Sequence, residues 1–105
     1  MAAPSVELVY FPGCPHHDAT RELVERIADE AGIDANLRLV EVTSDADAER
    51  LRFLGSPSVR VNGHDIEPGA DDRDTFTLAC RLYRTASGLS GTPPEEWLRT
   101  ALHGA

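Results

Sequence analysis

The amino-acid sequence predicts one α/β domain, built on a mixed four-stranded sheet with helices on both faces. The 105 residues suffice for a single core, and a content of 41% hydrophobic and 27% charged residues is globular. Apolar runs and segments of helical periodicity follow in the order β-α-β-α-β-β, before an insertion and a last helix. Because no repeat or linker interrupts this order, residues 1–105 are expected to form a single domain.

The first strand and the first helix have the clearest pattern. Val6 to Phe11 is a short apolar run that Pro12-Gly13 ends, as expected of a buried strand. Cys14 follows, and Pro15 suits the first position of a helix. Apolar residues then recur at offsets of three and four up to Gly32, which suits the C-terminal end of this helix.

A second strand and helix are predicted next. Leu37 to Val42 is apolar enough for a strand, and Ser44 is a suitable N-cap. The carboxylates of Asp45 and Asp47 favour a first helical turn through the helix dipole. This helix is expected to end near Gly55.

Two further strands are predicted to form a hairpin. Val59 to Val61 alternates in polarity, Asn62-Gly63 is a strong signal for a two-residue turn, and His64 to Glu67 returns as the partner strand. The hairpin strands must be antiparallel, whereas the earlier β-α-β units are expected to be parallel crossovers.

The insertion from Ala70 to Gly91 allows two interpretations. Asp72 or Asp74 could cap a helix with one face made of Phe76, Ala79, Cys80 and Tyr83. The Thr and aromatic content equally permits extended structure.

The last helix is predicted from a capping box. Thr92 is the expected N-cap, with Pro93 at the first helical position and Glu95 at the third. The residues expected to face the core are Trp97, Leu98, Ala101 and Leu102.

Charge and hydropathy exclude several classes of partner. The net charge is −8, and all ten basic residues are Arg without forming a cluster, so neither nucleic acid nor an anionic membrane surface is an expected partner. No apolar run approaches the ~20 residues of a membrane span, and the N-terminus lacks the features of a signal peptide. We therefore expect a cytoplasmic protein, in which a structural disulfide is not the default role of two cysteines.

Cys14 is the main candidate for chemistry. It stands where the first strand meets the first helix, and unpaired amides and the helix dipole at such a position favour the thiolate. Pro and Gly before it and polar residues after it indicate a surface turn. The alternative is a buried cysteine that acts as a small hydrophobic residue.

Two motifs carry a resemblance to a known family. The segment Tyr10 to His17 resembles the active-site turn of thioredoxin-like proteins, where Cys-x-x-Cys opens the first helix. Ser56 to Val59 resembles their cis-proline loop, and Pro57 to Gly63 matches a glutaredoxin pattern. The resemblance implies a thioredoxin-like fold without a resident cofactor or metal, a cis peptide bond before Pro57, and an open backbone edge at Ser56. Thioredoxin-like proteins pair that edge with an extended segment of a protein partner or with glutathione.

The sequence departs from the family motif at the second thiol. His17 replaces the second cysteine, so a thiol exchange within the motif is impossible. Cys80 is the only other thiol, and it either resolves a mixed disulfide on Cys14 or merely packs beside aromatic residues. His17 could face the Cys14 sulfur and stabilise or deprotonate it, or have no role, whereas His16 is expected to point to solvent.

A further resemblance to glutaredoxins lies in the segment Gly69 to Asp72. Glutaredoxins have a Gly-x-Asp-Asp stretch that holds the glutamyl end of glutathione, which makes Asp71 and Asp72 candidate substrate-binding residues. The alternative is an acidic, solvated loop.

Three functions remain open from the sequence. The leading hypothesis is a thiol-redox protein that uses Cys14 with Cys80, a partner thiol or glutathione. The second is a protein that binds or transfers a soft ion such as Hg(II) or Cu(I) through the same two thiols, since a zinc site would need more local ligands. The third is a redox-inactive domain that binds a partner.

Overall fold

The computed structural model describes residues 4–34 and 36–104 and confirms an α/β fold with a mixed four-stranded sheet and three helices. The N-terminal segment Met1 to Ser5, which is expected to lack the features of a signal peptide, lies partly outside the described residues, since Met1–Ala3 are not described; neither are Ala35 and Ala105. The elements of the sheet layer and its helices are β1 (Ser5–Tyr10), α1 (His17–Glu30), β2 (Asn36–Glu41), α2 (Asp45–Arg50), β3 (Ser58–Val61), β4 (His64–Asp65) and α3 (Glu95–His103). The insertion contains a 3₁₀ turn (Ala70–Asp72) and the strands β5 (Tyr83–Thr85) and β6 (Gly88–Ser90).

The strand order of the sheet is β2-β1-β3-β4. β1 and β2 are parallel, and β3 is antiparallel to both β1 and β4. The expectation of two parallel crossovers is therefore wrong for the connection through α2. Because β3 starts at the end of the sheet where β2 finishes, that connection stays at one end and a six-residue helix suffices. A parallel crossover would have to return along the whole sheet.

The core lies on both faces of the sheet. Val6 and Leu8 of β1 point to the face covered by α1 and α3, where the largest buried cluster lies. Val9 points to the opposite face and packs with Ala48 of α2 and with Phe53. This alternation confirms the prediction of helices on both faces.

Two helix starts differ from the prediction. α1 begins at His17 rather than at Pro15, which lies in the preceding turn. α3 begins at Glu95 after Pro94, whose side chain cannot cap, so the capping box at Thr92 is wrong. The physical reason is that a proline disfavours helical geometry in the residue before it, so Pro94 keeps Pro93 out of the helix.

Other local signals are confirmed. The Ser44 hydroxyl accepts a hydrogen bond from the amide of Asp47 at 3.1 Å, as an N-cap does. α2 nevertheless ends at Arg50, earlier than the predicted Gly55. Asn62 and Gly63 have φ values of 52° and 86°, which suit the two-residue turn between β3 and β4.

The insertion is extended and not helical beyond its 3₁₀ turn, so the helical interpretation of this segment is wrong. Arg81 and Tyr83 are buried, whereas Cys80, Leu82 and Arg84, which alternate with them along the chain, are exposed. This alternation has the period of two that belongs to a strand. Among residues 4–34 and 36–104, no helix has both the length and the apolar character needed to cross a membrane.

Candidate thiol site

Cys14 lies in the turn between β1 and α1, and its thiol is buried. Its amide donates to the carbonyl of Phe11 at 3.0 Å, which closes a tight turn. The neighbouring Gly13 and Pro15 are exposed, but Cys14 retains only 4% of its accessible surface. The turn is thus on the surface as expected, but the Cys14 thiol is buried, which is the alternative that the sequence left open, and the expectation that Cys14 stands directly at the start of the helix is wrong. α1 starts three residues later, because Pro15 and His16 extend the turn.

His17 contacts the backbone of Cys14. Its Nδ1 lies 2.9 Å from the Cys14 carbonyl oxygen, and its ring stacks on Tyr10 with centroids 4.6 Å apart. Its Nε2 lies 3.4 Å from a carboxylate oxygen of Asp18. A carbonyl oxygen can only accept, so Nδ1 is the donor in this contact. Both ring nitrogens therefore contact oxygen atoms, and a role of His17 toward the Cys14 sulfur stays a prediction.

His16 is exposed as expected, and it also contacts the connection between β6 and α3. A Cβ atom built on Gly91 would lie 2.3 Å from the His16 ring. The ring can therefore lie against this connection only because residue 91 has no side chain. This contact joins the Cys14 turn to the end of the insertion.

Ser56 is fully buried, and the chain itself occupies its backbone edge. The Ser56–Pro57 peptide is cis, as the resemblance implies. The Ser56 amide donates to the Ala79 carbonyl, and the Ser56 carbonyl accepts from the Arg81 amide, both at 2.9 Å. These two bonds form a parallel bridge between Ser56 and Cys80. The expectation of an edge open to an extended substrate is therefore wrong for this structure, since Ala79 and Arg81 of the insertion already bond to Ser56.

A chain of hydrogen bonds connects the segments of the two cysteines. The Cys14 amide bonds to the Phe11 carbonyl, the Phe11 amide donates to the Ser56 hydroxyl at 3.3 Å, and the Ser56 backbone forms an isolated bridge with Cys80. Both cysteines are free thiols, Cys14 buried and Cys80 exposed. The fold thus brings residues from the two ends of the sequence to the same end of the sheet.

Arg81 holds the strand of Cys80 through a buried ion-pair cluster. Its guanidinium donates twice to Asp65, at 2.8 and 3.1 Å, and once each to Glu67 and to the Ser58 hydroxyl, both at 2.9 Å. The side chains of Arg81 and Asp65 are each only 3% exposed. Burial alone would lower the pKa of Arg81, but the hydrogen bonds and charges of the two carboxylates outweigh it and raise the pKa above its usual value.

Tyr83, the first residue of β5, is a second anchor of the segment that contains Cys80. Its hydroxyl donates to the Pro57 carbonyl, and its ring packs edge-on to Trp97 and under the Arg81 guanidinium. The ring is fully buried, and this burial raises the pKa of Tyr83. Sequence reasoning missed the role of Arg81, and only the alternation of charged and aromatic residues in the extended interpretation could have indicated it.

Asp71 has backbone and side-chain partners in β4. Its carboxylate accepts from the Asp65 amide at 3.1 Å and lies 3.1 Å from His64 Nδ1. The hydrogen bond from the Asp65 amide is the main reason why the pKa of Asp71 is lowered. Asp72 is exposed beside it. The binding of glutathione by these two carboxylates stays a prediction, while the contacts assign Asp71 a structural role at β4.

We expect replacement of Asp71 by Ala to lower the free energy of unfolding by about 1 kcal/mol, because the Asp65 amide loses its acceptor. A lowered pKa means that the carboxylate stabilises the fold above its ordinary pKa of about 3.9 and stops doing so as the pH falls through the folded-state value. Urea unfolding of the wild type and of Asp71→Ala measures the difference in their free energies of unfolding. This difference should be smaller at acidic than at neutral pH. Asp72→Ala is the matched control, and an equal effect of the two substitutions would contradict the assignment.

Comparison with protein-family models and with curated proteins finds no match to this chain. Within the described ranges 4–34 and 36–104, no three or more His, Cys, Asp or Glu side chains form a group that could hold a metal ion. The functional inference therefore depends on the chain's own residues and on its two motifs.

Proposed function

We propose that the protein is a thioredoxin-like thiol-redox protein, in which Cys14 is the attacking thiol and Cys80 the resolving thiol. The observation that supports this most directly is the bridge between Ser56 and Cys80. It brings the second thiol of the chain to the loop that contacts the Cys14 turn through Phe11. The missing second cysteine of the motif, replaced by His17, would then be supplied from the insertion.

The proposed reaction is a two-electron exchange. The Cys14 thiolate attacks one sulfur of a partner disulfide, forms a mixed disulfide, and releases the other partner sulfur as a thiolate. The Cys80 thiolate then attacks the Cys14 sulfur, and the partner leaves as its second thiolate. The partner disulfide is thereby reduced to two thiols, and the Cys14–Cys80 pair is oxidised to a disulfide.

Glutathione or a protein thiol would reverse the oxidation by the same chemistry. Two molecules of glutathione reduce the Cys14–Cys80 disulfide and leave as oxidised glutathione, so the cycle needs no resident cofactor. Such a protein would work in a reducing compartment such as the cytoplasm. The buried position of Cys14 means that a partner reaches its sulfur only when the surrounding turn or strand moves.

Thiol counting after oxidation tests this proposal. The wild-type protein, treated with oxidised glutathione, should lose both thiols and remain a monomer with an internal disulfide that mass spectrometry maps to Cys14 and Cys80. Cys80→Ser should stop at a stable mixed disulfide between Cys14 and glutathione. Cys14→Ser is the matched control and should form no internal disulfide.

Other outcomes would contradict the proposal in different ways. A Cys14 thiol that reacts only in urea would favour a redox-inactive binding domain. Stoichiometric Hg(II) binding that protects both thiols, without formation of the internal disulfide on oxidation, would favour the soft-metal function. Disulfide-linked dimers through the exposed Cys80 would exclude it as the resolving thiol.

A further inference from the structure

We propose that residues 79–81 form an internal strand that closes the Ser56 edge to external partners, and that the Arg81 ion-pair cluster is the latch of this strand. The inference rests on the proposed function, because it assumes that a partner presents an extended segment beside Cys14. It adds a control of access to that site, which the thiol chemistry alone does not require.

The backbone amide and carbonyl groups at the Ser56 edge are already hydrogen-bonded within the chain. An extended partner would need the amide and the carbonyl of Ser56, and both are already bonded to Ala79 and Arg81 at 2.9 Å. Cys80 is level with Ser56 in this bridge. The internal strand therefore presents a thiol-bearing residue at the edge where a partner's cysteine would pair, and the two must compete.

The internal strand is held in place by contacts on both sides of Cys80. On one side, Gly55 allows a close approach, since a Cβ atom there would lie 3.3 Å from the Ala79 carbonyl oxygen. On the other side, Arg81 is bound to Asp65 and Glu67, and Tyr83 is bound to Pro57. Two backbone bonds alone would open readily, whereas the buried ion pair ties their opening to the breaking of charged contacts.

The consequence is a competition between two strands for one edge. A partner disulfide reaches Cys14 when the internal strand has opened, and the partner segment then takes its place on Ser56. Return of the internal strand brings Cys80 back to this edge and displaces the partner as the mixed disulfide is resolved. The electron balance is that of the proposed function, and no further reactant is required.

Amide hydrogen exchange tests the latch without any thiol chemistry. The variant Asp65→Asn with Arg81→Met removes both buried charges, and the new carboxamide keeps a side-chain oxygen that can accept from the Glu67 amide. We expect protection of the amides at Ser56 and at position 81 to fall by about tenfold or more. Protection of the Ile66 amide, which donates to Val59, should change little. Unchanged protection at both bridge amides would overturn the latch.

The rate of Cys14 glutathionylation tests the closure. In a Cys80→Ser background, oxidised glutathione should modify Cys14 about tenfold faster when the Asp65→Asn and Arg81→Met substitutions are present. Arg84→Met, on the exposed side of the same segment, is the matched control and should leave the rate unchanged. If the bridge amides lose protection but the rate stays equal, the closure is overturned. If Cys14 reacts in no folded variant, the proposed function itself fails, and the closure with it.

A milder variant covers the case in which the double substitution does not fold. Tyr83→Phe removes only the hydroxyl that donates to the Pro57 carbonyl, and the ring remains in place. Loss of one such hydrogen bond should raise both the exchange of the bridge amides and the rate of glutathionylation by about fivefold. A change in neither quantity would overturn the inference.

Discussion

Replacement of Arg81 by Met alone is expected to lower the free energy of unfolding by about 3–5 kcal/mol. The substitution leaves the carboxylate of Asp65, only 3% exposed, without its two guanidinium bonds. Glu67 and the Ser58 hydroxyl each lose a bond as well. An uncompensated buried charge is costly, because neither water nor a cation is available to it.

A double-mutant cycle measured by urea unfolding checks this expectation. Addition of Asp65→Asn to Arg81→Met should recover much of the loss, because a buried ion pair removed as a whole is often close to neutral. Arg84→Met on the exposed side of the segment should stay within about 0.5 kcal/mol of the wild type. A loss below about 1 kcal/mol for Arg81→Met would mean that the cluster is hydrated and does not hold the strand.

Replacement of Gly55 by Ala is expected to lower the free energy of unfolding by about 2–5 kcal/mol, from two separate causes. The φ of Gly55 is +115°, a backbone conformation that L side chains rarely adopt. The new Cβ would also lie 2.9 Å from Cβ of Arg81 and 3.3 Å from the Ala79 carbonyl oxygen. The internal strand would have to move away from Ser56 to make room.

Gly88 provides the control that separates the two causes. It has the same φ of +115° at the first residue of β6, but a Cβ there meets no atom within 4 Å. Gly88→Ala should therefore show only the backbone cost of about 1–3 kcal/mol. The amount by which Gly55→Ala loses more free energy of unfolding than Gly88→Ala measures the cost of the close approach between Gly55 and the internal strand. Equal losses of free energy in the two variants would rule out such an approach. Urea unfolding of both variants gives the comparison.

Most elements of the sheet and its helices could be predicted from local patterns. The Ser44 N-cap and the Asn62-Gly63 turn depend on neighbouring residues only, and both are confirmed. The capping pattern at Thr92 predicts the start of α3 wrongly, because Pro94 disfavours helical geometry in the residue before it. The predicted parallel direction of β3 is wrong, because no local pattern shows to which end of the sheet a connection returns.

The candidate site was predictable only in part. The motif around Cys14 and the loop at Ser56 were recognised by resemblance, and the fold brings both to the same end of the sheet. The sequence offers the burial of Cys14 only as an alternative, since exposed neighbours such as Gly13 and Pro15 indicate a surface turn without fixing the direction of one side chain. At Cys80 the local pattern permits both a helix and extended structure, so it does not place the second thiol.

Local patterns along the chain predict the α/β class, the order of the main elements and the two residues that can carry thiol chemistry. Periodicity, caps and turns act over a few residues, so they can be read along the chain. The pairing of Cys80 with Ser56 and the burial of Arg81 against Asp65 and Glu67 are seen only in the tertiary structure. These contacts join segments that are distant in the sequence. They are stable because the assembled fold excludes water from them, and a pattern of neighbouring residues carries no information about that exclusion.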